Sequence, residues 1–103
     1  MTTVALRERD LAALRAVFER IPGIKQVRLY GSRASGGARR CSDVDLAISG
    51  PELTPTEWAD LREALEEAPL IYELDVVRYD GLPNGPLRRR IEAEGVVIHE
   101  RRD

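Results

Sequence analysis

Cysteine and histidine are nearly missing from this chain of 103 residues: Cys41 is its one thiol and His99 its one imidazole. A single cysteine permits no intrachain disulfide and fits a reducing cytoplasm, and the two residues together are too few for a soft-ligand metal centre. Long apolar runs are also lacking. No stretch of 18 apolar residues occurs, and Arg7, Glu8, Arg9 and Asp10 put charge where a signal peptide needs an apolar segment, so neither a membrane span nor export is expected. Charge of one sign is not in excess either. A formal net charge of -2 with 33% charged residues describes an ordinary soluble protein rather than a general nucleic-acid binder. The length suits a single domain, 1–103, with one core and no room for a second substrate-binding module. No repeat, low-complexity tract or linker marks a boundary.

What is present is concentrated in Gly31 to Asp45, which reads GSRASGGARRCSDVD. If the segment from Asp43 to Ile48 is a strand, alternation puts Asp43 and Asp45 on one face and Val44 and Leu46 on the other, with the two aspartate Cα atoms roughly 6.5 to 7 Å apart. Carboxylates at that separation can converge on a metal pair about 3.5 to 4 Å apart, the spacing that clamps the attacking and leaving oxygens of an in-line displacement. Hard oxygen ligands favour Mg²⁺ or Mn²⁺ over zinc. Gly31 lets the backbone come close to a ligand, and Ser32 can open a short helix whose free N–H groups face an anion such as a triphosphate. Arg33, Arg39 and Arg40 follow with no acidic residue before Asp43, a local positive charge suited to phosphates. Alone, an Asp-x-Asp pair is usually a polar strand end and a Gly-Ser a turn; their union in one window points to metal-assisted phosphoryl transfer. Cys41 needs no redox role, because nothing marks a low thiol pKa.

Around this window the periodicity predicts helices alternating with short strands. A helix over Ala5 to Arg20 carries Leu11, Leu14, Val17, Phe18 and Ile21 on its core stripe and is closed by Pro22-Gly23. Ile24 to Tyr30 is a strand with Val27 and Leu29 on one face and Arg28 and Tyr30 on the other. The strand after Asp43 is stopped by Gly50-Pro51. Thr54 to Glu57 is a capping box with proline at the first helical position, and Trp58, Leu61, Leu65 and Ala68 form the stripe of the helix it opens. At that spacing Trp58 belongs to the core rather than to base stacking. Leu70 to Val77 is the next strand, with Ile71, Glu73, Asp75 and Val77 on one face, so a third carboxylate, Glu73 or Asp75, can reach the same site from a neighbouring strand. Gly81 to Pro86 is a loop, Leu87 to Glu94 a short helix and Val96 to His99 a last strand. His99, two residues past the core position Val97, suits a surface or structural role better than that of a base. Arg88, Arg89 and Arg90 form a solvated helix face, or a dock for an acidic partner. The sum is an α+β fold, a mixed twisted sheet flanked by helices.

The pattern Gly31-Ser32, ten residues, Asp43-Val44-Asp45, with Ala34, Gly36, Ser42 and Leu46 in place, resembles the signature of the minimal nucleotidyltransferases, small single-domain members of the DNA polymerase β-type superfamily. The closing segment IEAEGVVIH, Ile91 to His99, is similar too, so the resemblance spans nearly the whole chain. Within the loop, Ser35 stands where many relatives carry Arg, and Arg40-Cys41 where Pro and an acidic residue are common. The resemblance implies the nucleotidyltransferase palm fold and transfer of AMP from ATP to an acceptor hydroxyl with loss of pyrophosphate. It implies that Asp43, Asp45 and Asp75 are the catalytic metal ligands, preferring Asp75 to Glu73 because the family's third acid is an aspartate followed by aliphatic residues, as in Leu74-Asp75-Val76-Val77. Gly31, Ser32, Arg33 and Arg39 would hold the phosphates. It further implies pairing with a small helical HEPN-domain toxin, in which the transferase is the antitoxin and adenylylates a tyrosine of its partner. Modification of an aminoglycoside-like small molecule, and neutralisation of a partner by contact alone, are the alternatives.

Overall fold

A computed structural model describes residues 6–31 and 44–101. Ser32, Arg33, Arg39, Arg40, Cys41 and Asp43 lie outside the described residues. Apolar residues at Leu14, Val17 and Phe18 give one side of a helix a continuous stripe, and α1 (Glu8–Glu19) buries it, with Leu14 and Phe18 fully inaccessible and Ile21 buried just past the helix end. The helix begins later than the periodicity predicts, because Arg7 is already extended. Then follow β1 (Gln26–Tyr30), β2 (Val44–Ser49), α2 (Pro55–Glu67), β3 (Leu74–Arg78), a 3₁₀ turn (Tyr79–Gly81), α3 (Pro86–Glu94) and β4 (Val96–Glu100).

The strands form a four-stranded sheet in the order β3-β2-β1-β4. β1 runs antiparallel to both β2 and β4, whereas β2 and β3 are parallel. A parallel neighbour needs a crossover of a dozen or more residues, which α2 supplies. Alternation sends Val27 and Leu29 of β1, and Val44, Leu46 and Ile48 of β2, into the main core with α1, Leu61 and Leu65 of α2, and Ile98 of β4. The intervening residues face the other way, where Ile91 of α3 packs on Tyr30 and Ala47. The sheet is thus mixed and carries helices on both faces, as an α+β fold.

β3 and β4 depart furthest from the sequence pattern. β3 begins at Leu74 rather than Leu70, for an edge strand needs a paired neighbour and the ladder with β2 runs from Val44↔Leu74 onward. Before it the chain turns aside, leaving Ile71 70% exposed while Tyr72 packs on the core and donates its hydroxyl to Asp10 at 3.0 Å. In β4 a register shift opposite Val27 and Arg28 leaves Val97 exposed and Ile98 buried, which reverses the expected core position. Trp58 packs against the core as its spacing predicts.

Two polar joints hold the helices. Thr54 accepts from the Glu57 backbone N–H at 3.1 Å, and the Glu57 carboxylate accepts from the backbone of Thr54 at 3.1 Å and of Gly23 at 2.9 Å. The hydrogen bonds from Thr54 and then Gly23 hold the Glu57 carboxyl below its usual range, outweighing desolvation. One carboxylate thereby ties the turn after α1 to the start of α2. The second joint is Asp10, only 3% exposed, which also accepts from Arg7 at 3.1 Å. Burial pushes the Asp10 carboxyl up, but the bonds from Tyr72 and Arg7 outweigh it and its pKa lies below the usual value.

A folded-state pKa below the unfolded one contributes stability above the unfolded value that is lost as pH falls through the folded one. Asp10→Asn is expected to lower unfolding stability by about 2 kcal/mol near neutral pH, with the gap to wild type narrowing below the ordinary carboxylate pKa of 3.8. Urea titrations across that range measure it, and a gap independent of pH would refute the assignment. Thr54→Ala should cost about 1 kcal/mol through loss of the cap, read from the same titrations at neutral pH.

Candidate active site

The face of the sheet turned away from the main core carries one polar row. Parallel pairing sets Asp75 of β3 opposite Asp45 of β2, and antiparallel pairing sets Tyr30 of β1 opposite Asp45 from the other side. Facing residues on adjacent strands stand roughly 4.8 Å apart along the hydrogen-bonding direction, so Tyr30, Asp45 and Asp75 form a line across three strands. Their neighbours explain why the row points one way: Leu29, Val44, Leu46, Leu74 and Val76 all join the opposite, apolar face. The row lies at the end of β1 and the start of β2, where the chain leaves for the segment 32–43.

Burial grades the row. Tyr30 is 3% exposed, Asp45 is half-buried and Asp75 is exposed. Burial pushes the Tyr30 phenol above its ordinary value, Asp45 and Asp75 push it further, and Arg90 opposes them. Tyr30 therefore stays a neutral hydroxyl beside the carboxylates. An open cleft of about 470 Å³ lies beside β3 on the other, main-core side of the sheet, between α2 and the segment ahead of β3, where Leu65, Leu74 and Val76 line it together with Arg62 and Glu73.

Gly31 closes β1 with φ +77°, a left-handed conformation that favours glycine. Space imposes the same choice. A β-carbon on Gly31 would stand 2.5 Å from Asp45 Oδ2 and 3.7 Å from Arg90 Nη2, so the bare backbone makes the notch in which the carboxylate sits.

Of the residues singled out from the sequence, Gly31, Asp45 and Asp75 come together here, while Ser32, Arg33, Arg39 and Asp43 lie outside the described residues. Glu73 precedes β3 and stands outside the row, although its side chain lines the cleft. His99 is remote, on β4 with its ring 5.6 Å from that of Phe18. Tyr30 was not singled out, and Arg90 was read only within the run Arg88 to Arg90 as a solvated face or a dock for an acidic partner, though both had a signal for this site. Tyr30 immediately precedes the glycine, and Arg90 immediately precedes Ile91, which anchors α3. Nor are the three arginines of α3 one solvated face. Arg88 lies 4.4 Å over the Tyr79 ring and donates to the Leu82 carbonyl at 3.1 Å, while Arg28 covers the same ring at 5.5 Å.

The donor set suits a hard divalent cation: two carboxylates side by side, one open to solvent, with oxygen the only ligand type in the row. Among the described residues no cluster of three His, Cys, Asp or Glu groups forms. No helix among the described residues is long and apolar enough to cross a membrane.

Residues 13–103 match the polymerase β nucleotidyltransferase family. The chain is 29% identical over 97 residues to the probable protein adenylyltransferase MntA of Haemophilus influenzae, covering 93% of this chain and 84% of that one. A candidate minimal nucleotidyltransferase of known structure is 33% identical, with a TM-score of 0.66 over 86% of this chain and 92% of the other. A toxin–antitoxin complex solved with AMP-PNP shares the fold, at a TM-score of 0.70 and 23% identity, over 93% of this chain and 75% of that one. With the glycine notch and the paired strand carboxylates already in place, these matches make the chain a member of the polymerase β-type nucleotidyltransferase family.

Proposed function

We propose that this enzyme transfers AMP from ATP to a hydroxyl of a partner protein, a tyrosine of a helical HEPN-domain toxin, and so acts as the antitoxin of a toxin–antitoxin pair. The observation that carries the reading is the register Asp45↔Asp75 beside the Gly31 notch. The similarity to a protein adenylyltransferase and the shared fold with a nucleotide-bound toxin–antitoxin complex support the acceptor class.

In this reading Gly31 and Ser32 hold the β and γ phosphates, with Arg33 and Arg39 offsetting charge that develops on the departing pyrophosphate. Asp43, Asp45 and Asp75 are the residues that would hold Mg²⁺, or Mn²⁺ in its place, and such ions neutralise phosphate charge and fix the triphosphate for in-line attack. Asp75, exposed on the edge strand, takes the proton of the acceptor hydroxyl as the hydroxyl oxygen bonds to the α-phosphorus and the bond from that phosphorus to the β-phosphate oxygen breaks. Tyr30, neutral and buried, sets the packed end of the row. Positioning and charge complementarity account for most of the catalysis.

Asp75→Asn is expected to lower AMP transfer by on the order of 100-fold or more, while its stability stays within about 0.5 kcal/mol of wild type because the side chain is exposed. Mass spectrometry of the partner after incubation with ATP and Mg²⁺ measures this. Wild type should add one or more AMP groups and the variant should not. An unmodified partner that both proteins nevertheless neutralise would replace the reading with an antitoxin acting by contact.

A further inference from the structure

Positive charge at the carboxylate row comes from an element that the glycine-aspartate signature does not include. We propose that Arg90 of α3 is a phosphate-binding residue of the nucleotide site, contacting the β or γ phosphate of the bound triphosphate and the pyrophosphate that leaves. This rests on the nucleotide-transfer reading above and adds to it a binding residue some fifty positions downstream of the signature.

The placement follows from packing. Ile91 is fully buried against Tyr30 and Ala47, which fixes the rotation of α3 on the sheet and brings the preceding side chain to the end of β1. There Arg90 Nη2 and Asp45 Oδ2 flank the one point that a Gly31 β-carbon would fill. Two other arginines near this face of the sheet are already engaged, Arg28 and Arg88, on the Tyr79 ring. Arg90 instead donates through Nε to Glu94 at 3.3 Å, in a pair whose side chains are 52% and 50% exposed. Such a surface pair within one helix is weak, and a multiply charged phosphate group, offering bidentate geometry to a planar guanidinium, displaces it readily. Because Gly31 is the backbone placed under the β and γ phosphates, the arginine beside it meets the triphosphate tail rather than the nucleoside.

The test is calorimetric titration of AMP-PNP, pyrophosphate and AMP, each with Mg²⁺, into wild type, Arg90→Gln, Arg90→Lys and Arg89→Gln, with thermal melts of each protein. Arg90→Gln is expected to weaken AMP-PNP and pyrophosphate about 10-fold, the scale of one charge-assisted contact, to leave AMP unchanged and to melt as wild type does. Arg90→Lys should recover part of the loss and Arg89→Gln should show none. Unchanged pyrophosphate affinity in Arg90→Gln overturns the inference, as does a loss for all three ligands that tracks a lowered melting temperature, which would mark a structural arginine. If wild type binds no AMP-PNP, the nucleotide-transfer reading itself fails; if it binds and Arg90→Gln binds equally, only the role of Arg90 does.

Discussion

Parallel pairing of β2 with β3 is the constraint on which the site depends. It is a costly arrangement, since parallel strands cannot be joined by a tight turn and require the crossover through α2. What it achieves is placement: Asp75, thirty residues beyond Asp45 in the chain, arrives beside it on the same face, in a register that a one-residue slip would destroy by sending Asp75 into the core. The register is held by Leu46, fully buried, with Leu74 and Val76 packed against the same core, so the apolar face of the sheet specifies the geometry of the polar one.

The second face is protected only in part. Ile91 seals it over Tyr30 and Ala47, and the row then opens from buried Tyr30 through half-buried Asp45 to exposed Asp75. That gradient suits a transferase, which needs fixed carboxylates at one end and an opening to solvent at the other. The Gly31 notch belongs to the same design. A side chain there would collide with the Asp45 carboxylate, so the left-handed glycine serves the site through both its backbone angle and its missing β-carbon.

Much of this was legible in the residues. Apolar spacing located α1 and α2, the Thr54–Glu57 capping box marked the start of α2, and alternation assigned Asp45 and Val44 to opposite faces, because each of these rests on local chemistry. Features set by tertiary packing were not legible. Leu70 to Glu73 alternates like a strand, yet it lies at a sheet edge and Tyr72 is drawn away by Asp10. Val97 and Ile98 exchange roles because a register shift in the β1–β4 ladder cannot be read from one strand alone. Three consecutive arginines look equivalent in sequence, but a helical rotation of about 100° per residue sends Arg88, Arg89 and Arg90 to different surroundings. Ser32, Arg33, Arg39 and Asp43 lie outside the described residues, so the roles proposed for them rest on the signature.

The measurement that bears most directly on the central claim is Mn²⁺ binding followed by electron paramagnetic resonance in the presence of AMP-PNP, with wild type, Asp45→Asn, Asp75→Asn and the double variant. A single shared site predicts that either substitution alone removes most of the nucleotide-dependent Mn²⁺ signal and that the second adds little, because the two carboxylates act together. An unchanged signal in Asp75→Asn, or losses that combine as independent factors, would contradict it.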